Sequence, residues 1–452
     1  MNVNKQAGSK LMGRKFVMVK CLRIQVLLLS FLIFFAACTS ASEVLTKFST
    51  EKTDKITDVI IDTDMGVDDF MAVIWLLNQK RINIKAITVC TDGLSLSPYG
   101  AENAALLVKL VREDSSIKVY NGNEQTTPKK GYDRNFPNPP REEASKLVRE
   151  VTGIKEVKGY SYDKSVRAPE AMYELIVNAA KNNTKLTILS IGTATNIVEA
   201  YEIASKKNTA KEFISGIEMV YKAGGSFGLE ATNGDKTTIT NLNIHGNMNI
   251  GGLYATNNDT AEWNIYAAAE SMQKILESGI PVTFIPTNVS NTVLITSQSN
   301  DRLRKEGGKL GKIVADITDQ VWVQQQGGWT VTTGQLSYWD PSAVVPVFYP
   351  EIITEGKTYK TNVCIQLGNP QFTVDREGQL PSYAPEGVMN YKMFKPIENK
   401  FSDLYYSTTL VGDQSYCTAI ASSKSSPATV IMGINPDSFY DVFIEGFRQK
   451  SD

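Results

Sequence analysis

Val59-Ile60-Ile61-Asp62-Thr63-Asp64-Met65-Gly66-Val67-Asp68-Asp69-Phe70 is the stretch that decides the fold. An apolar, β-branched run ends in four aspartates within eight residues, and a helical pattern over 70–77 continues from them. A short continuous apolar run reads as a strand buried on both faces, the kind found inside a parallel sheet. Carboxylates packed this densely repel one another and are costly to desolvate unless a cation compensates them. Oxygen ligands in a turn suit Ca2+ or Mg2+ better than zinc, and Gly66 is expected to let the backbone turn sharply. Acidic residues also cap helix N-termini and meet the helix dipole favourably. That reading accounts for one or two of the aspartates but not for four.

Outward from this stretch, short apolar runs alternate with helical patterns. Further strands are expected at 84–89, 185–190, 218–222 and 281–285, and helices at 101–111, 195–204 and 261–277. The alternation predicts an α/β fold: a mostly parallel, Rossmann-like central sheet flanked by helices, with the active site at the C-terminal ends of the strands. Residues 121–141, rich in Pro, Gly and Asn, read as a long loop. The segment 226–258 reads as a long Gly/Asn/Thr-rich insertion whose Asn-Gly and Gly-Gly pairs suggest tight turns and a small hairpin. Beyond Tyr359 the pattern becomes mixed strands and loops, closing with a short helix over 437–447.

The 452 residues carry a formal net charge of −1, so there is no basic face for a nucleic-acid backbone. Basic residues concentrate instead at the N-terminus (Lys10, Arg14, Lys15, Lys20, Arg23), ahead of an apolar run over 26–37. That run is shorter than the roughly 20 residues of a bilayer span. It ends in Phe35-Ala36-Ala37-Cys38, the pattern of a secretory signal peptide with a bacterial lipobox, in which Cys38 becomes the lipidated first residue. An uncleaved anchor, or an ordinary signal with an incidental cysteine, fits the same residues. On the lipoprotein reading 1–37 is removed, 38–56 is a polar tether, and 57–452 is the working domain, touching the membrane through the lipid anchor only. Thr39 stands where inner-membrane lipoproteins typically carry aspartate, so a periplasm-facing outer-membrane location is expected in a two-membrane cell. Cys90, Cys364 and Cys417 are widely spaced and odd in number, which argues for core or free thiols rather than a disulfide framework or a CxxC metal site.

The string DTDMGVDD (62–69) resembles the DxDxGxDD signature of the inosine–uridine-preferring nucleoside hydrolase family. Four more segments agree in order: SIGTATN (190–196), AGG (223–225), AEWN (261–264) and YWDPSA (338–343). The resemblance implies a Ca2+-dependent cleavage of the N-glycosidic bond of a ribonucleoside. It gives Asp64 as calcium ligand and general base, Asp69 and Asp340 as further carboxylate ligands, and the backbone carbonyl of Ile191 as another. Asp68 and Asn264 would bind the ribose 2′- and 3′-hydroxyls and Glu262 the 5′-hydroxyl, with Asn257 or Asn258 near the 5′ side. Asp62 would orient the ligands from behind. The chemistry is coherent with the residues, because dense negative charge stabilises a ribosyl oxocarbenium-like transition state.

Trp263, Asp92 in CTDG (90–93) and Trp339 resemble the purine-specific, inosine–adenosine–guanosine-preferring branch. Trp339 stands where some members of the family place a histidine, and it would stack on the base; core packing beside Asp340 is the plain alternative. Asp92 would sit by the base or sugar. The single histidine of the chain, His245, falls in the insertion and reads as an exposed loop residue. The second stacking tryptophan of that branch is expected near 136–141, where Pro139 and Pro140 stand instead; Phe136 or Tyr132 are the nearby aromatic residues. Two other classes remain open at this point. A strand followed by Asp-x-Asp also fits an aspartyl-phosphate phosphatase, and a surface lipoprotein that binds ribosides without turnover fits the missing tryptophan. A homo-oligomer is compatible with the sequence.

Overall fold

The computed structural model describes residues 57–113, 116–123, 145–225, 262–323, 328–329, 336–365, 409–412 and 426–448, together with two short strands at 230–232 and 236–238. The expected signal peptide, Cys38 and the tether lie outside the described residues, as do Tyr132, Phe136, His245, Asn257, Asn258 and Cys417.

The strands are β1 (Thr57–Thr63), β2 (Ile82–Val89), β3 (Lys118–Asn121), β4 (Leu186–Ser190), β5 (Ile217–Ala223), β6 (Glu230–Thr232), β7 (Lys236–Thr238), β8 (Val282–Ile285), β9 (Thr358–Ile365), β10 (Thr409–Gly412) and β11 (Ser426–Ile431). Nine of them form one sheet in the order β10-β9-β11-β8-β5-β4-β1-β2-β3. The seven from β11 to β3 are parallel, and β9 pairs antiparallel with both β10 and β11 at the edge. The expected α/β fold is thus observed, and helices connect its strands.

β1 lies inside the sheet because its middle is a run of apolar, β-branched residues. Val59, Ile60 and Ile61 are fully buried between β2 and β4, each contributing about 1.5–3 kcal/mol relative to exposure. The chain leaves β1 toward β2 and β3 on one side and later returns to β4, β5 and β8 on the other. The sheet therefore has a topological switch point between β1 and β4, where loops diverge and leave a crevice at the strand ends.

Some elements depart from expectation. The helix expected over 261–277 is two helices, Trp263–Ala267 and Ala269–Ser278, separated at Ala268, whose backbone leaves the helical region (φ −142, ψ 48). The break lets the first turn face the site while the second helix packs its buried Met272, Ile275 and Leu276 into the sheet's core. In the insertion, β6 and β7 pair antiparallel, with Glu230 opposite Thr238 and Thr232 opposite Lys236. Helices at Ala168–Lys181, Ser297–Glu306, Gly308–Ile317 and Trp339–Phe348 add to those read from the sequence. Among the described residues no helix is long and apolar enough to cross a membrane.

The last helix, Pro436–Gly446, locks against the first, Val67–Asn78. The Gly446 carbonyl accepts from Asn78 Nδ2 at 2.8 Å and Gln79 Nε2 at 3.1 Å, and a Cβ at Gly446 would lie 2.0 Å from Trp75 Nε1. Gly446→Ala is expected to destabilise the protein by about 1–3 kcal/mol through this overlap, measured by urea unfolding. An unchanged midpoint would show that the two helices have room to part.

Candidate active site

Asp64, Met65 and Gly66 carry the chain from β1 into the helix Val67–Asn78. The left-handed residue of this turn is Met65 (φ 53), while Gly66 stays at φ −68. The glycine expected to make the sharp turn is needed for space instead: a Cβ there would lie 2.5 Å from Leu94 Cδ1. Asp69 ties the turn together. Its carboxylate accepts from the Gly66 N–H at 2.8 Å, from the Asp64 N–H at 3.2 Å and from the Thr63 hydroxyl. Three donors on one carboxylate offset part of its desolvation and fix its orientation.

The loop after β2 closes over Asp64. The Leu94 N–H donates to Asp64 Oδ2 at 2.6 Å, and the Ser95 N–H donates to the Asp64 carbonyl at 3.0 Å. Gly93 has no side chain because a Cβ would fall 1.9 Å from Asp64 Oδ2. Asp92, one residue earlier, is buried and accepts from the hydroxyls of Thr193 and Thr195. Behind the turn, fully enclosed Asp62 accepts from the Thr88 hydroxyl at 2.7 Å, from Asn196 Nδ2 at 2.9 Å and from the Cys90 thiol at 3.4 Å. Asn196 closes the SIGTATN segment without any sign there of this partner, and Thr88 carries no warning beyond its place within a strand.

The end of β4 joins the same crevice. The Ile191 and Gly192 N–H groups both donate to the Asp62 carbonyl, at 2.8 and 3.1 Å. The Ile191 carbonyl accepts from Asn264 Nδ2 at 2.8 Å, and Asn264 Oδ1 is buried without a hydrogen-bond partner. Glu262 caps the short helix bearing Trp263 and Asn264: its Oε1 accepts from the Asn264 N–H at 2.9 Å, and Oε2 from the Ile265 and Gly225 N–H groups at 3.0 Å each. Asp340 enters from the first turn of the helix Trp339–Phe348.

Three carboxylates converge most tightly. Oxygens of Asp68, Asp69 and Asp340 lie within 4.8 Å of one another, all buried. Asp64 is outside this trio of mutually close oxygens but near enough for its charge to act on all three. Trp339 stands beside the cluster, nearly buried, with its Nε1 donating to Asn291 Oδ1 at 2.8 Å. It meets Trp322 edge to face, ring centroids 5.5 Å apart. Asn291 and Trp322 were not singled out by the sequence, since each gains its meaning only from Trp339 in space.

Burial dominates the electrostatics. It raises the Asp64 pKa, and it pushes Asp68 up to about 7 with help from the Asp64 charge. Asp69 and Asp340 rise well above the carboxylate range, through burial first and then through their acidic neighbours. Asp62 rises to about 6 by burial, against the opposing hydrogen bonds of Asn196, Thr88 and Cys90. Hard oxygen donors that repel one another, a backbone carbonyl and an orphaned buried amide oxygen in one crevice fit an oxygen-seeking divalent cation.

The sequence pattern of the family described as inosine-uridine preferring nucleoside hydrolase matches residues 59–441. The chain belongs to this family. As a member it is a hydrolase acting on N-glycosyl compounds. It is 22% identical over 301 residues to "Probable uridine nucleosidase 2" of Arabidopsis thaliana, covering 66% of this chain and 79% of the relative. It is 24% identical over 306 residues to "Pyrimidine-specific ribonucleoside hydrolase RihA" of Escherichia coli O9:H4, covering 66% and 81%. Its fold is similar to that of the solved inosine-uridine preferring nucleoside hydrolase of Bacillus anthracis (TM-score 0.59, 15% identity, 87% of this chain and 99% of that one). It is also similar to the purine-preferring ribonucleoside hydrolase of Gardnerella vaginalis (TM-score 0.55, 21% identity, 86% and 98%).

The hydrolase's raised carboxyl pKa values set the sign of its pH dependence. An acid whose folded pKa exceeds its unfolded one binds more protons in the native state between the two values, so stability falls as pH rises through that window. For Asp62, raised from 3.8 to about 6, the difference corresponds to about 3 kcal/mol. Metal-free protein is expected to be harder to unfold in urea at pH 5 than at pH 7, and a saturating divalent cation that binds the cluster to flatten or reverse that slope. A metal-free protein that gains stability from pH 5 to pH 7 would contradict the carboxylate arrangement.

Proposed function

We propose that this hydrolase uses calcium held by the β1 turn and Asp340 to cleave ribonucleosides, prefers purine bases, and works outside the cytoplasm on a lipid anchor. The observation that carries the reading is the convergence of Asp68, Asp69 and Asp340 oxygens within 4.8 Å at the strand ends. Asp64, Asp69, Asp340 and the Ile191 carbonyl would hold the cation. Bound there, calcium would supply the positive charge that makes water easier to deprotonate near neutral pH.

The chain's own residues do the rest. Asp64, oriented by the Leu94 N–H, is the base that takes a proton from the attacking water. The surrounding carboxylates stabilise positive charge as it develops on the ribosyl ring. Asp68 and the unpartnered Asn264 Oδ1 accept from the ribose 2′- and 3′-hydroxyls. Glu262 Oε1 takes one backbone donor where Oε2 takes two, which leaves it an acceptor site for the 5′-hydroxyl. A deoxyribose would leave a buried acceptor unpaired, a cost that discriminates strongly.

Purine preference rests on Trp339. Its ring is held by the Asn291 hydrogen bond and by Trp322, so it would present a fixed surface for stacking. A purine offers more overlap than a pyrimidine. The relatives named for uridine or pyrimidine nucleosides favour the second reading, in which the same site takes uridine. The envelope location rests on the lipobox-like Phe35-Ala36-Ala37-Cys38 and the short apolar run before it.

Ribose release from inosine, guanosine, adenosine, uridine and cytidine, with calcium or a chelator, tests the chemistry. Chelator-sensitive release is expected, at least tenfold faster from the purine ribosides, and Asp64→Asn is expected to lower kcat by about 10²–10⁴-fold. Faster release from uridine would transfer the preference to pyrimidines, and release indifferent to the chelator would remove the cation. Cys38→Ser is expected to free the protein from the membrane fraction; a wild-type protein fractionating with the cytosol would refute the anchor.

A further inference from the structure

Lys222, at the end of β5, is fully buried beside the site and has no part in the chemistry above. A buried ammonium ordinarily finds a carboxylate. Here its three hydrogen bonds all end on backbone carbonyl oxygens: Gly192 at 2.5 Å, Ala223 at 2.5 Å and Ser190 at 3.4 Å. The three donors of the ammonium are thus matched by three acceptors, two of them on the turn that ends β4, the strand against which Lys222 is registered.

Ser190 and Gly192 flank Ile191. The carbonyl of Ile191 faces a different partner, Asn264 Nδ2. Its own peptide is held on the other side by the Gly192 N–H, which donates to the Asp62 carbonyl. With the neighbouring carbonyls fixed by Lys222, the Ile191 peptide has no free direction in which to rotate. Gly192 itself lies tight against the Asp64 backbone, since a Cβ there would lie 2.5 Å from the Asp64 N.

We propose that Lys222 is a positioning residue whose ammonium clamps the Ser190 and Gly192 carbonyls, so that the Ile191 carbonyl stays presented as an oxygen ligand for a divalent cation. The proposal rests on the calcium reading of the site. It makes a prediction of sign, because a fixed positive charge beside Asp62, Asp64 and Glu262 repels a second cation. If charge were the only role of Lys222, removing it would tighten calcium binding. If the clamp dominates, removing it loosens binding.

The test is calcium affinity of the full chain by titration calorimetry, for wild type, Lys222→Met and Lys222→Gln, with circular dichroism to check folding. Lys222→Met is expected to weaken calcium binding tenfold or more. Lys222→Gln, whose amide still reaches toward one carbonyl, is expected to weaken it threefold or more and decides the matter if the methionine variant does not fold. Wild-type or tighter affinity in a folded variant overturns the clamp while leaving the calcium reading intact. Absence of calcium binding by the wild type overturns both.

Discussion

Mutual repulsion among buried carboxylates is the constraint from which the rest of this structure is best understood. Asp62, Asp64, Asp68, Asp69 and Asp340 are all enclosed, and each has its pKa raised first by burial. Such a cluster is unfavourable in isolation, so it persists only where the surrounding fold forces it and where a ligand can relieve it. The first condition is visible. The strand β1 is locked by apolar burial on two sides, and backbone N–H groups from Asp64, Gly66 and Leu94 are already turned onto the acids.

The forcing comes from topology. Parallel strands with a switch point send their connections away from each other, and the residues just past β1, β2, β4 and β5 meet at one edge of the crevice. That is why residues scattered along the chain share hydrogen bonds: Asp62 with Thr88 and Asn196, Asp92 with Thr193, Glu262 with Gly225. Close approach then dictates composition. Gly93 and Gly192 both abut Asp64 so tightly that a methyl group would collide with it. The glycines of CTDG and SIGTATN are thus consequences of where the aspartate must stand.

Strand-to-helix alternation made the parallel sheet readable, and the density of aspartates after β1 marked the site, because both are local properties of a few consecutive residues. What stayed hidden depends on space. The break at Ala268 has no proline or glycine to announce it, and Glu262 caps the short helix before it while also accepting from the distant Gly225 N–H. Lys222 carries no signal in the sequence, and only the folded turn of Ser190 and Gly192 brings it its carbonyl partners. Met65 in the left-handed region contradicts the ordinary reading of the adjacent glycine, since the hydrogen bonds of Thr63 and Asp69 stabilise the turn sufficiently to tolerate a side chain there.

Structural and chemical roles are often weighed against each other as alternatives, and this crevice shows why that opposition misleads. Asp69 is both the cap of the helix Val67–Asn78 and a member of the converging carboxylate trio. Glu262 caps the Trp263 helix with the same carboxylate that accepts from the Gly225 N–H past the end of β5. Trp339 packs on Trp322 and is fixed by Asn291, which is also what a stacking surface requires, because a ring that could swing would lose entropy on each binding event. Preorganisation therefore does not sit behind the functional groups as a separate layer. The hydrogen bonds that stabilise the fold at the strand ends are the ones that hold the oxygen atoms in place, so a substitution that merely loosens the turn is already a substitution in the site.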